Sequence, residues 1–462
     1  MPNKEPDTSS TPLARKLGLF DSTMLVMGGT IGGGIFVNPY VVAGHVHTPA
    51  LVLGAWIAGG GIALTGALIY AEIANRLPRV GGQYAYLRES YHPLIAFLYG
   101  WVLLLVIQTG GMAVVTSIFS RYLMVLTGWH APEWLVGVIT LTIFTLANCL
   151  GVKSGSNVQS ALMVLRIAAI ALLVFAGALL VRGEHLVWRP LVGQSISPDL
   201  LSSFGAAMVP VLFAYGGWQT GCFVAGEMKK PERDLPRALV LGVIGVAALY
   251  TAVNLIYLRG LGVAGLAQTR TPASAVMEIA LGNAGVIIIA LGIALSTLGF
   301  LSQSVLTAPR VYFAMAEDGV FFRQLAQVHA KTQVPVLAII VQSVWTVVIL
   351  ISGRYEQILN YVTSMDWIFF GLSASCLFIL RHRHPQAAQV PGSPARATLA
   401  FARDGVEVRM PGHPITTGLF CLACWAVAGN AIYRYPRDTL FGLAILASGV
   451  PIYYLWKRIL PA

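Results

Sequence analysis

Charge is what this chain has least of. Asp, Glu, Lys and Arg make up 11% of its 462 residues, and only 19 of them are acidic. A soluble domain carries about 25% charged residues, so a soluble globular protein is excluded. There is no H-E-x-x-H, and no acidic pair lies within one apolar stretch, so the catalytic groups of a membrane-embedded enzyme are missing. His45 and His47 stand without further ligands; no metal and no cofactor is expected. Cysteine is scarce as well. Cys149, Cys222, Cys376, Cys421 and Cys424 all lie in or at the ends of apolar stretches, where they read as small packing residues and not as a disulfide framework. Cys421 and Cys424 form a C-x-x-C, but no basic neighbour is there to make a thiolate.

What the chain has is apolar length. Hydrophobic residues make up 56%, and the mean hydropathy is +0.73. Stretches of about 20 apolar residues, each enough to cross a ~30 Å hydrocarbon core, recur from Met24 to Leu460. Twelve spans are predicted, at about 21–44, 50–75, 94–126, 133–151, 158–181, 200–226, 237–260, 284–315, 334–352, 358–380, 413–432 and 438–457. The expectation is an all-α protein of the lipid bilayer. A cleaved signal peptide is not expected, because the first stretch is broken by glycines and no Ala-x-Ala follows it.

Basic residues give the orientation. Of the 30 Lys and Arg, 21 fall in one alternate set of gaps and termini, 7 in the other, and Arg121 and Arg166 within spans. The basic set is retained inside, so both termini are placed in the cytoplasm, with the plasma (inner) membrane as the location. The net charge of +11 is thereby explained by topology. Basic residues spread over seven separate segments do not make a nucleic-acid surface.

Two spans carry glycine where a helix should run. Gly28, Gly29, Gly32, Gly33 and Gly34 put five glycines into seven residues in span one, and Gly216 and Gly217 follow Phe213-Ala214-Tyr215 in span six. Glycine costs a helix interior about 1 kcal/mol against alanine, so both spans should break there. Unwound backbone at membrane depth is tolerated only where it is buried in protein or lines a cavity. Runs of adjacent glycines fit a break better than a small-xxx-small packing face, which needs a four-residue spacing. Spans one and six are corresponding members of two five-span halves, the arrangement in which secondary transporters place a midplane site. The predicted layout is an amino-terminal segment 1–18, a first repeat at about 19–182, a second at about 198–381, a Pro-rich loop at about 382–412, and spans eleven and twelve at about 413–460.

These residues carry a resemblance. Leu17-Gly18-Leu19-Phe20-Asp21 followed by Gly29-Thr30-Ile31-Gly32-Gly33-Gly34-Ile35-Phe36 is similar to the opening of the amino acid-polyamine-organocation transporter superfamily. Phe213-Ala214-Tyr215-Gly216-Gly217-Trp218, Glu227-Met228 and Pro231-Glu232-Arg233-Asp234-Leu235-Pro236 resemble its L-type amino acid transporter branch. So do Ala71-Glu72, Gly81-Gly82-x-Tyr84, Gly151-Val152-Lys153 and Ser448-Gly449-Val450-Pro451. The resemblance implies a LeuT-like fold, with spans one and six unwound, and sodium-independent exchange or facilitated passage of neutral L-amino acids. It further implies that the substrate carboxylate meets the amides of Gly32, Gly33 and Gly34. The ammonium would meet carbonyls near Met27, Thr30, Phe213 and Gly216, with Ile31, Ala214 and Tyr215 completing the two unwound segments. Phe213 matches the aromatic that closes over the substrate as a gate.

Departures from the pattern matter too. The branch has a serine where this chain has Gly33, and a lysine where it has Arg166, eight residues after Val158. In the family that lysine ties span one to span eight where sodium sits in sodium-coupled relatives, and Arg166 is expected to do the same. A guanidinium stays charged, which disfavours both proton release and sodium binding there. Asp366 in span ten is the other intramembrane charge: it could pair with Arg166, contact a substrate amine, or carry a proton. Proton symport through Asp366 and a cationic or polyamine substrate are therefore the alternatives, and an amino acid sensor on a transporter fold is a third. Glu72 and Glu227, near the inner span ends, read as ion-pair partners for neighbouring basic residues. Glu278 reads as part of a short capping helix. No cysteine lies between Leu126 and Glu133, so no disulfide-linked heavy subunit is expected.

Overall fold

The computed structural model describes residues 17–77, 81–149, 152–182, 198–225, 228–329, 332, 334–353, 355–383 and 409–459. Glu227 and residues 384–408 of the expected loop lie outside the described residues. Among the described residues the protein is helical, apart from one isolated bridge between Leu17 and Met228. The elements are α1 (Leu19–Thr30), α2 (Gly34–His45), α3 (Pro49–Arg76), α4 (Gln83–Ser90), α5 (Pro93–Val102), α6 (Gln108–Thr127), α7 (Glu133–Cys149), α8 (Val152–Leu180) and α9 (Pro198–Tyr215). They continue with α10 (Thr220–Phe223), α11 (Pro231–Gln268), α12 (Pro272–Thr307), α13 (Pro309–Glu317), α14 (Val336–Ser352), α15 (Tyr355–Arg383), α16 (Ile415–Arg434) and α17 (Pro436–Ile459).

Among the described residues nine helices are long and apolar enough to span a membrane, and α1 with α2, bent by 41°, make a tenth when taken as one broken span. The apolar helices α7 and α14 are shorter, at 17 residues each. Side chains facing outward from the bundle are apolar: Leu179 is 80% exposed, Leu201 66% and Leu422 62%. A protein surface of that kind is matched by lipid and not by water.

The helices overrun their predicted ends. α11 continues to Gln268 past a bend at Gly262, and α12 begins at Pro272, well before the predicted 284. Its first segment, which carries Glu278, meets the main helix at a bend at Gly282. Hydropathy marks where lipid begins, not where the backbone stops being helical. Pro309, unable to donate an amide to the preceding turn, opens α13 as a separate helix.

Glu72 is more deeply placed than a solvated ion pair. It is 1% exposed, and its carboxylate accepts from Arg76 at 2.9 Å, Arg381 at 2.6 Å and the Met410 amide at 2.7 Å. One residue thus fastens α3, α15 and the strand of chain entering α16. Next to this cluster, burial and the Arg381 guanidinium hold the His413 imidazole below its usual pKa. Glu72→Gln leaves two guanidinium groups facing a neutral amide. We expect a loss of stability on the order of 2 kcal/mol, discounted because both arginines are partly exposed, read as a lower melting temperature of the purified protein.

Candidate functional site

The two predicted breaks form and touch each other. α1 ends at Thr30 and α2 starts at Gly34; α9 ends at Tyr215 and α10 starts at Thr220. Gly217 has φ +99, and a Cβ there would collide with the Gly29 carbonyl. A Cβ on Gly29 would in turn lie 2.5 Å from the Gly217 carbonyl oxygen. The backbones cross in contact, and only residues without side chains allow that.

A cavity opens beside this crossing, with about 750 Å³ of atom-free space, part of it continuous with solvent. Thr30, Gly32, Gly33 and Gly34 line it from the first break, and Phe213, Ala214 and Gly216 from the second. Asp366 faces it from α15.

Three expected residues do not reach this cavity. Met27 still belongs to the helical part of span one and packs toward Gly242 and Gly245 of α11. Ile31 is fully buried, with its carbonyl turned to Arg166. Tyr215, also buried, packs with its ring tilted against Trp56 and Tyr250 at centroid distances of 6.0 and 5.1 Å.

The amides at the first break divide unevenly. The Gly32 N–H donates to the Thr30 carbonyl at 2.9 Å and so is not free, because the chain reverses immediately after α1. Gly33 caps α2, Gly34 and Ile35 begin it, and the amides of all three have no acceptor among the described residues; the first that does is Phe36, bonded to the Gly33 carbonyl at 3.1 Å. Unpaired amides at a helix start, with the dipole behind them, favour an anion.

Arg166 is 1% exposed and is held by backbone alone. Nη1 donates to the Gly28 carbonyl at 2.8 Å and to the Ile31 carbonyl, and Nη2 donates to the Ser296 carbonyl. The guanidinium therefore binds α1 and the turn after it to α12. Gly299 makes room for it: a Cβ there would stand 2.5 Å from Nη2. The Asp366 carboxylate takes no part. Its Oδ1 is buried with no hydrogen-bond partner among the described residues, so the pairing with Arg166 considered from sequence is not formed. The peptide oxygens at the break satisfy the cation instead.

Other contributors gave no sequence signal. The Tyr250 hydroxyl sits between the breaks, 3.1 Å from the Thr30 carbonyl and 3.2 Å from that of Ala214. Gln303 of α12 donates to the Leu25 carbonyl at 2.8 Å. Phe300 covers Gly32, its ring 3.5 Å from where a Cβ would be. Between α5 and α6 a π-helical turn, Leu103–Ile107, presents Ile107 and Gln108 to the cavity, a distortion frequent at functional sites. Its displaced Leu105 carbonyl accepts from the Trp345 indole at 2.8 Å. No group of three or more His, Cys, Asp or Glu side chains among the described residues could hold a metal.

Comparison with known proteins shows what the sequence is similar to. A sequence model described as amino acid permease matches residues 17–437. The serine/threonine exchanger SteT of Bacillus subtilis (strain 168) is 32% identical over 98% of this chain and 99% of its own. The large neutral amino acids transporter small subunit 2 of Homo sapiens is 29% identical over 96% of this chain and 80% of its own. The cystine/glutamate transporter of Homo sapiens is 27% identical over 98% and 88%.

Proposed function

The chain belongs to the amino acid permease family, and from that premise we propose that it is a sodium-independent exchanger of neutral L-amino acids working by alternating access. Membership makes it a membrane transport protein and not an enzyme. The observation that carries the reading is the crossing of two broken helices beside one cavity, with unpaired amides at the start of α2 and a fixed guanidinium behind the break. The Gly33, Gly34 and Ile35 amides would receive the substrate carboxylate, and the carbonyls of Phe213 and Gly216 its ammonium. Phe213, half-buried on the cavity wall, would be the gate.

Sodium independence follows from what Arg166 occupies. The carbonyls of Gly28, Ile31 and Ser296, oxygen ligands of the kind a sodium ion needs, already accept from the guanidinium. Because guanidinium does not release its proton at physiological pH, neither ion has a seat there. We further propose twelve spans with two five-span inverted repeats and residence in the cell membrane, with cytoplasmic termini, an orientation that the distribution of basic residues supports. One relative's name makes it a small subunit; this chain, with no cysteine between Leu126 and Glu133, would work without a disulfide-linked partner.

The test is uptake of labelled neutral L-amino acids into proteoliposomes, beginning with serine and threonine, which the bacterial relative's name suggests. Uptake should need unlabelled amino acid inside and ignore sodium and proton gradients. Accumulation in empty vesicles driven by an inward proton gradient would replace exchange by symport. In the same assay Tyr250→Phe should keep the fold, since the ring still packs on Trp56 and Tyr215. Losing the hydroxyl that spans both breaks should slow exchange about tenfold, one buried hydrogen bond being worth about 1 kcal/mol and two carbonyls being affected.

A further inference from the structure

One carboxylate on the cavity wall has no hydrogen-bond or ion-pair partner among the described residues. Asp366 projects from α15 beside the second break, and its Oδ1 is buried without a hydrogen bond among the described residues. Arg166 does not supply one: its Nη1 and Nη2 donate to the Gly28, Ile31 and Ser296 carbonyls, and no hydrogen bond or ion pair joins it to Asp366 among the described residues. None of the ion pairs among the described residues includes Asp366. A buried carboxylate without a counter-charge is costly, and natural proteins keep one where a ligand completes it.

The geometry shows which end of a ligand would do so. Gly216 has no side chain, and the point where its Cβ would stand is 3.2 Å from the Phe213 carbonyl oxygen, 3.6 Å from that of Leu212 and 3.8 Å from Asp366 Oδ2. Three oxygens, one of them able to carry a full negative charge, therefore face one small space on the cavity wall. That suits an ammonium group, which brings three donors and a positive charge. The first break, at Gly33 and Gly34, offers only neutral amides to an anion.

We infer that Asp366 is the anionic half of the substrate's ammonium site, so that formal charge recognises the amine while the carboxylate is held by neutral amides alone. The site should then admit amines whose carboxylate is replaced by a neutral amide and exclude 2-hydroxy acids that lack the amine. This rests on the amino acid exchange reading above.

The experiment measures inhibition of L-serine exchange in proteoliposomes by L-serinamide, which lacks the carboxylate, and by L-glycerate, which lacks the amine. Wild-type protein should be inhibited by serinamide and not by glycerate. Asp366→Asn should raise the KM for serine at least about tenfold and lose serinamide inhibition, with a smaller change in kcat, since a charge-assisted contact to the ground state is removed. Gly216→Ala, which fills the same space without touching the carboxylate, should raise the KM in the same direction, and it decides the matter if the Asp366 variant does not fold. An Asp366→Asn protein with wild-type KM and unchanged preference for serinamide over glycerate would overturn the assignment. So would a Gly216→Ala protein with unchanged KM if the Asp366 variant cannot be made. Failure of the exchange reading looks different: wild-type protein would be thermally stabilised by serinamide yet carry no serine across the bilayer.

Discussion

Arg166→Met is expected to lower exchange in loaded proteoliposomes at least about a hundredfold, and Arg166→Lys about tenfold. The guanidinium serves three carbonyls, two in the first broken span and one in α12. Methionine fills much of the volume but donates nothing. The Gly28, Ile31 and Ser296 oxygens then lose their charged donor in a region that water does not reach, and hydrogen bonds to charged groups are worth about 1.5–3 kcal/mol each. Two such losses already exceed the 2.7 kcal/mol that corresponds to about a hundredfold. Lysine keeps the charge but not the planar fork, so it cannot reproduce two separated donor nitrogens at once. Rates are compared per folded protein, with size-exclusion profiles and melting temperatures as the control. A methionine variant exchanging within about twofold of wild type would mean that the guanidinium only fills space.

Gly217→Ala should remove function altogether, and with it much of the folded protein. At φ +99 an L side chain is strained by about 1–2 kcal/mol before any neighbour is considered. The neighbour here is the Gly29 backbone carbonyl, which cannot swing aside as a side chain would. Both breaks would have to separate, and with them the two walls of the cavity. Gly61→Ala is the matched control: that glycine lies inside α3, and a Cβ there meets nothing within 4 Å. It should be neutral or stabilise by up to about 1 kcal/mol. Equal behaviour of the two variants in yield, melting temperature and exchange would contradict the crossing of the two spans.

The breaks were legible because their cause is local. Gly32, Gly33, Gly34, Gly216 and Gly217 lower helix stability wherever they occur together, and the structure bends where they lie. The depth of Arg166 was legible from its position in an apolar run, and the resemblance gave the two spans it ties, one and eight; the acceptor atoms were not legible. A carboxylate in span ten was one possible counter-charge, yet the freed carbonyls of Gly28 and Ile31 take the guanidinium, because a broken helix supplies acceptors that a hydropathy pattern cannot show. Met27 was placed with the site by the resemblance, through its carbonyl, and Ile31 and Tyr215 as members of the two unwound segments. Side-chain direction at a helix end depends on the turn that follows, and all three turn into the protein. Tyr250 bridges carbonyls 220 and 36 residues away, a contact fixed only by the packing of α11 on α1. The overrun of α11 and α12 past the lipid-facing stretch was equally invisible to hydropathy.

The most direct test of a zwitterion held between two broken helices is an experimental structure in lipid nanodiscs with the exchanged amino acid bound. The account predicts the carboxylate on the Gly33 and Gly34 amides and the ammonium between the Phe213 carbonyl and Asp366, with Arg166 still on Gly28, Ile31 and Ser296. A substrate bound in the reverse orientation, with its carboxylate toward Asp366, or one seated away from both breaks, would contradict it.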